Sequence, residues 1–269
     1  MTARELLQQV AIDRGDAEGL LANALRVNRA WLFAHRDEPV DDSCAEHFME
    51  QARARAEGEP LAYLLGYRDF WSLRLNVNRD VLIPRRETEH LVEWAIERID
   101  AGAQRILDLG TGSGAIALAC KSERPQVEMC AVDGCQEALS CARANGESLG
   151  LEVDWLYSDW FEKVPPNYWD LVVSNPPYIA ANDAHLSRGD LPAEPALALI
   201  GGHTGLESID HIVAGAPDFL RPGGWLLLEH GFDQAELVAG LLRTKGFSKV
   251  STRRDWSGHA RMTGGQWLN

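Results

Sequence analysis

The sequence predicts an α/β protein in which a small all-helical N-terminal domain is joined by a β-hairpin linker to a doubly wound parallel sheet. Three observations carry this. Apolar residues recur at helical spacing over residues 4–65, residues 70–83 alternate and turn, and from about residue 84 strand-like runs alternate with helical ones. The domains are accordingly placed at 1–67, 68–84 and 85–269.

In the first region Leu6, Leu7 and Val10, then Leu20, Leu21, Ala24 and Leu25, fall on helical faces, and no convincing period-two stretch interrupts them. "FWSLRLNVNRDVLI" (70–83) alternates and is expected to turn at "NVNRD". The sheet region then reads as "RILDLG", the helix "GAIALACKSE", "VEMCAVD", "QEALSCARANGESLG", "VDWLYSD", "WDLVVSNPPY", a helix near residues 205–220, and "GGWLLLEHG". Such βαβ alternation makes a parallel sheet with helices on both faces. The final pair, "FSKVSTRRD" and "ARMTGGQWLN", has no helix between its members, so the last strand is expected to run antiparallel.

The 269 residues, 45% hydrophobic, suffice for a sizeable core. A net charge of -14, from 40 acidic and 26 basic side chains, opposes the phosphate neutralisation on which nucleic-acid binding rests. Protein or small-molecule partners are expected, with no direct nucleic-acid binding. The odd set Cys44, Cys120, Cys130, Cys135 and Cys141 contains no Cys-x-x-Cys pair, which argues against a disulfide framework or a zinc site and for reduced thiols. No apolar run approaches the roughly 18 residues of a membrane span, and "MTARELLQQVAIDRG" carries acids where a signal or transit peptide would not. A cytoplasmic protein is expected.

"LDLGTGSGAIAL" follows a strand and opens a helix, so Gly110, Gly112 and Gly114, with Thr111 and Ser113 between them, form a turn where backbone approaches a ligand. Read alone, the spacing also fits a dinucleotide fingerprint. Two acids narrow the choice. Asp133, ending the next strand, can bond both ribose hydroxyls of an adenosine ligand; Asp108, just before the glycines, would repel a pyrophosphate but suits an ammonium and a sulfonium. The pair favours S-adenosylmethionine over NAD. "SDWFE" adds Asp159 and the aromatic face of Trp160 where an adenine would lie.

"SNPPYIA" ends another strand. Asn175 offers a side-chain carbonyl and Pro176 a backbone carbonyl, while neither Pro176 nor Pro177 has an N–H. Two acceptors without competing donors suit a substrate NH2 group, and Tyr178 would stack on a planar group or lie near the sulfonium. A planar amide nitrogen is a poor nucleophile, so aligning it with an electrophilic methyl matters most; alignment contributes roughly 7–11 kcal/mol in favourable cases.

"DLGTGSGAIAL", "AVD", "SDWF" and "SNPPYI", in this order, resemble a class I S-adenosylmethionine-dependent methyltransferase acting on nitrogen. "GEPLAYLLGYRDFWSLRLNVNRDVLIPRRETEHLVE", "HLSRGDLPAEPALALIGGHTGLESI", "LLLEHGFDQ" and "DWSGHAR" are similar, more specifically, to the peptide chain release factor N(5)-glutamine methyltransferases. The resemblance runs over most of the chain from Glu59 onward. It implies a Rossmann-like, seven-stranded methyltransferase domain and methyl transfer to the glutamine amide of the Gly-Gly-Gln motif of class I release factors, leaving S-adenosylhomocysteine. It further implies cofactor contacts from residues 110–114, Asp133, Trp160 and Asn175, and a glutamine-amide clamp at Asn175, Pro176, Pro177 and Tyr178. No metal is required, and a monomer that docks release factors through its helical domain is expected. Arg86 stands where the family has proline, and Gly134 and Cys135 where serine often follows the ribose acid. Neither departure touches the clamp.

The chain's own "GGQ", residues 264–266, lies within the expected last strand and is read as coincidence. His230 follows a strand but carries no metal-ligand spacing, and a structural role is expected. Competing readings are a nucleic-acid exocyclic-amine methyltransferase, opposed by the charge; a non-catalytic S-adenosylmethionine-binding module, opposed by the second planar site; and an NAD oxidoreductase.

Overall fold

The computed structural model describes residues 1–166 and 168–269. Contacts divide the chain into two compact units, Met1–Tyr67 with Ser187–Ala193, and Arg68–Leu186 with Glu194–Asn269. The sequence leaves Ser187–Ala193 in the sheet domain; in the structure it belongs with the helices.

The first unit is helical: α1 (Ala3–Gln9), α2 (Arg14–Ala24), α3 (Arg29–Ala34), α4 (Asp42–Ala56) and α5 (Leu61–Leu65). Side chains cap four of them. Thr2 and Glu5 make a reciprocal capping box on α1, and Asp13, Asn28 and Asp41 accept N–H bonds at the starts of α2, α3 and α4. Helices this short are marginal alone, so the shared core supplies their stability. Leu6, Leu20, Leu21 and Phe48 are fully buried in it, while Val10, Ala24 and Leu25 pack at its edge. Half-buried Arg55 ties the unit together by pairing with Asp16 and with Asp190.

The second unit opens with a two-stranded sheet of β1 (Tyr67–Phe70) and β2 (Leu73–Asn76). Its turn is Trp71–Ser72, with Trp71 at φ 56°, and "NVNRD" follows β2 instead of forming the turn as the alternation predicted. The reason lies far along the chain. The Asn145 carboxamide accepts from the Asn76 N–H at 2.7 Å and donates to the Asn76 carbonyl at 3.0 Å, using the backbone groups that a longer hairpin would need. Next comes α6 (Glu89–Asp100), passed over in the sequence reading although Leu91, Val92, Trp94, Ala95 and Ile99 form one buried face.

The main sheet contains β3 (Arg105–Leu109), β4 (Glu128–Asp133), β5 (Asp154–Tyr157), β6 (Trp169–Ser174), β7 (Leu220–Glu229), β8 (Ser248–Arg254) and β9 (Ala260–Gln266). Their order is β5-β4-β3-β6-β7-β9-β8. The first five strands pair in parallel, and β9 inserts antiparallel to both neighbours. Helices α7 (Ala115–Glu123), α8 (Gln136–Leu149), α9 (Ala196–Leu199), α10 (Glu207–Gly215) and α11 (Ala235–Lys245) complete the unit. Alternation along the strands creates two cores: Ile106, Met129, Ala131, Leu171 and Val173 pack with α6 and α7, while Leu107, Leu109, Val132 and Val172 pack with α10 and α11.

The chain's own Gly264-Gly265-Gln266 is interior sheet. A Cβ on Gly264 would stand 2.5 Å from Leu227 Cδ2 and 3.0 Å from the Trp94 ring, and Gln266 Nε2 donates to the Gly223 carbonyl at 2.8 Å. The glycines thus serve close strand and helix packing. Among the described residues no helix is long and apolar enough to cross a membrane, and all five cysteines are free thiols.

Candidate active site

The glycine turn and the proline turn leave adjacent strands at the same end of the sheet. Leu109 and Ser174 are register partners, and Ser174 Oγ donates to the Leu109 carbonyl at 2.7 Å. Because β4 flanks β3 on one side and β6 on the other, strand order reverses here. Doubly wound sheets leave their ligand crevice at this point.

Gly110, Gly112 and Gly114 have φ of 69°, 57° and 85°, values that suit glycine and strain other residues. The turn is held by bonds from the Gly110 and Thr111 N–H groups to the Val132 carbonyl, at 2.9 and 3.0 Å, and from the Gly112 N–H to Asp133 Oδ2 at 2.8 Å. A Cβ on Gly114 would stand 2.9 Å from Leu118 Cδ1, 3.2 Å from the Trp155 ring of β5 and 3.3 Å from Ala142 Cβ of α8, so glycine there also lets the start of α7 approach both elements. The proline turn is fixed from below: Gln234 Nε2 donates to the Tyr178 carbonyl at 3.0 Å, and the Ile179 N–H donates to the Leu199 carbonyl at 3.0 Å.

Between the turns lies a cavity of about 570 Å³, within the range of small-molecule sites. Its wall includes Gly110, Thr111, Gly112 and Ser113 from the first turn, Asp133 from the end of β4, Tyr157 at the end of β5 with Asp159 and Trp160 after it, and Asn175 and Pro177 from the second. Arg85 and Thr88, before α6, and Leu197 on α9 also line it. Trp160 is held at φ 44°, and its ring covers Gly110, whose Cβ position is 3.7 Å from Cζ3. Asp133 accepts from the Cys135 N–H through Oδ1 at 2.9 Å, and burial pushes its carboxyl up despite these bonds. Each of its oxygens has a second lone pair for a ligand hydroxyl.

Three further acids sit behind the wall. Asp108 is fully buried and raised by that burial to about 7; it accepts from Thr111 Oγ1 at 2.6 Å. Glu229, likewise raised by burial to about 7, accepts from the Tyr178 hydroxyl at 3.3 Å. Glu194, 5% exposed, accepts from the Ile83 N–H at 3.0 Å and pairs with the Arg85 guanidinium. Arg85 therefore reaches the cavity with its charge already matched. Among the described residues no cluster of His, Cys, Asp and Glu could hold a metal ion.

Comparison with known proteins bears directly on this arrangement. A family model, the PrmC N-terminal domain, matches residues 1–66, and the Methyltransferase small domain matches residues 88–189. The release factor glutamine methyltransferase of Xylella fastidiosa is 49% identical over 95% of this chain and 94% of its own. Those of Bordetella pertussis and Salmonella typhimurium are each 45% identical, over 97% and 94% of this chain and 98% and 92% of theirs. This chain belongs to the release factor glutamine methyltransferase family. Solved structures agree at the level of fold. A methyltransferase from Pyrococcus furiosus superposes with a TM-score of 0.54 at 18% identity, covering 72% of this chain and 89% of that one. The hMettl16 catalytic domain superposes at 0.58 and 16% identity, covering 85% and 82%.

For this family member, the residues singled out in the sequence divide by depth. Gly110, Thr111, Gly112, Ser113, Asp133, Asp159, Trp160, Asn175 and Pro177 line one cavity. Asp108, Gly114, Pro176 and Tyr178 do not form its wall. Asp108 instead braces Thr111, because a carboxyl on an interior strand faces core, and the Tyr178 ring packs among the apolar side chains around α10 and α11. His230 is fully buried: Nδ1 bonds the Gly231 carbonyl and Nε2 the Thr263 hydroxyl, each at 2.8 Å, and burial holds the ring neutral. Sequence reasoning missed Thr88, Arg85, Glu194 and Glu229 as site residues. The only local signal was a cluster of charge in "IPRRETE", since their partners lie 51 to 109 positions away.

Proposed function

We propose that this chain transfers a methyl group from S-adenosylmethionine to the side-chain amide nitrogen of the glutamine in the Gly-Gly-Gln motif of class I release factors. The observation that carries the reading is that Asn175 and Pro177 line the same cavity as the glycine turn and Asp133. Membership of the family supplies the class of acceptor.

The cavity fits the cofactor by the chemistry of its wall. Asp133 would hold the ribose hydroxyls, Trp160 and Tyr157 offer flat apolar faces, and the glycine turn presents backbone without side chains. S-adenosylmethionine, when bound, supplies an electrophilic methyl. Asn175, in the wall, would accept from an amide NH2 and orient its nitrogen, and Pro177 beside it has no N–H to compete as a donor. Tyr178 would act from below the turn, through Glu229. The amide proton becomes acidic only once nitrogen has been alkylated, so solvent suffices as its acceptor.

Release factor, a form in which the Gly-Gly-Gln glutamine is alanine, and a structured RNA should be incubated in parallel with labelled S-adenosylmethionine. Label on the first alone is expected. Label on RNA and on neither protein would replace this reading with an exocyclic-amine methyltransferase, which the net charge of -14 disfavours.

A further inference from the structure

The cavity wall contains a hydrogen-bonded pair whose polarity matters for any acceptor that Asn175 holds. Asn175 Nδ2 donates to Thr88 Oγ1 at 3.2 Å. Thr88 is 4% exposed, sits one residue before α6 and is brought to Asn175 across 87 positions of sequence. Behind it lies Glu229, 1% exposed, with Oε1 accepting from Tyr178 and Oε2 lacking a hydrogen bond among the described residues.

The two orientations of an amide group are distinguished by what each leaves unsatisfied. With Nδ2 toward Thr88, as the structure has it, the threonine oxygen accepts from Asn175 at 3.2 Å. With Oδ1 toward Thr88, the hydroxyl would instead have to donate to Asn175. Only the first orientation leaves the Asn175 carbonyl free to accept from a substrate NH2; the second would present a second NH2 to it.

Building on the proposed function, we infer that Thr88 is a positioning residue for methyl transfer: its buried hydroxyl oxygen, by accepting from Asn175 Nδ2, fixes the Asn175 carboxamide with the carbonyl offered to the acceptor amide. The role belongs to the hydroxyl and not to the bulk of the side chain. Thr88→Val keeps the volume and removes the hydroxyl, whereas Thr88→Ser keeps the hydroxyl and removes a methyl.

Methyl transfer to release factor should be measured for both variants, with S-adenosylmethionine affinity measured by calorimetry. Thr88→Val should lower kcat by about tenfold or more, by misaligning the amide, with a smaller change in cofactor Kd, and Thr88→Ser should stay near wild type. The opposite ranking, valine active and serine impaired, would show a packing role and overturn the inference, as would equal activity of all three. Thr88→Ala replaces valine in the comparison if the valine variant fails to fold. If the wild type itself leaves release factor unlabelled, the proposed function has failed, and hydrogen exchange of the Asn175 side-chain NH2, followed by NMR, decides the inference separately. Slow exchange in the wild type and fast exchange in Thr88→Val sustains it; equal exchange refutes it.

Discussion

At the scale of single residues, the site is governed by which polar groups face the cavity and which are hidden behind it. Asp133 is in the wall, Asp108 one layer deeper, and burial raises both carboxyls, but only the first is available to a ligand. Glu229 yields a pH prediction. Burial lifts it from 4.5 to about 7, opposed by the Thr88 hydroxyl, Arg261 and Tyr178 and assisted by Glu87. A carboxyl whose folded pKa is raised binds its proton more tightly in the folded chain. Its contribution to stability is thus complete below the unfolded value and is lost as pH rises through about 7. The difference in unfolding free energy, wild type minus Glu229→Gln, should fall between about pH 5 and about pH 8 in urea titrations. A difference independent of pH would mean that Glu229 is ionised throughout.

At the scale of elements, strand β9 shows how packing can override a motif. Its Gly-Gly-Gln matches in sequence the tripeptide on which the proposed activity acts, yet it is clamped between β7 and β8. A methyl group at position 264 would press on Leu227, on the Leu226 carbonyl at 2.8 Å and on Trp94 of α6. Gly264→Ala should therefore destabilise the fold by about 1–3 kcal/mol, the usual range for overpacking, and lower the melting temperature. An unchanged melting temperature would mean that α6 and the sheet are not in firm contact there. The hairpin teaches the same lesson in reverse: alternation signalled two strands, but a carboxamide 69 positions away moved the turn to Trp71–Ser72.

At the scale of the whole molecule, every residue of the cavity wall belongs to the second unit, and the PrmC N-terminal domain match covers residues 1–66. The helical unit is proposed to dock the release factor while the sheet unit performs the chemistry. A chain lacking residues 1–66, confirmed as folded by its melting transition, should bind S-adenosylmethionine as the intact chain does but lose most transfer to full-length release factor. Equal loss of both activities would refute this division. The membership of Ser187–Ala193 in the helical unit sharpens the test, because Asp190 remains in the truncated chain without its partner Arg55.

The sequence by itself determined what depends on neighbours along the chain. The helical N-terminal segment, the sequence of main-sheet strands, the glycine turn after "LDLG" and the proline turn after "LVVS" were legible, since periodicity and turn chemistry act within a few residues. It likewise placed nine of the candidate residues that share one cavity, because a doubly wound sheet brings its strand ends together wherever the pattern is read correctly. Only the tertiary structure decided which groups lie in the wall and which behind it. Asp108 and Tyr178 turn toward the interior, β9 enters between β7 and β8, and Thr88, Glu229 and the Arg85–Glu194 pair meet across long stretches of chain. Burial and hydrogen bonding between distant segments are properties of packing, and no local pattern of residues encodes them.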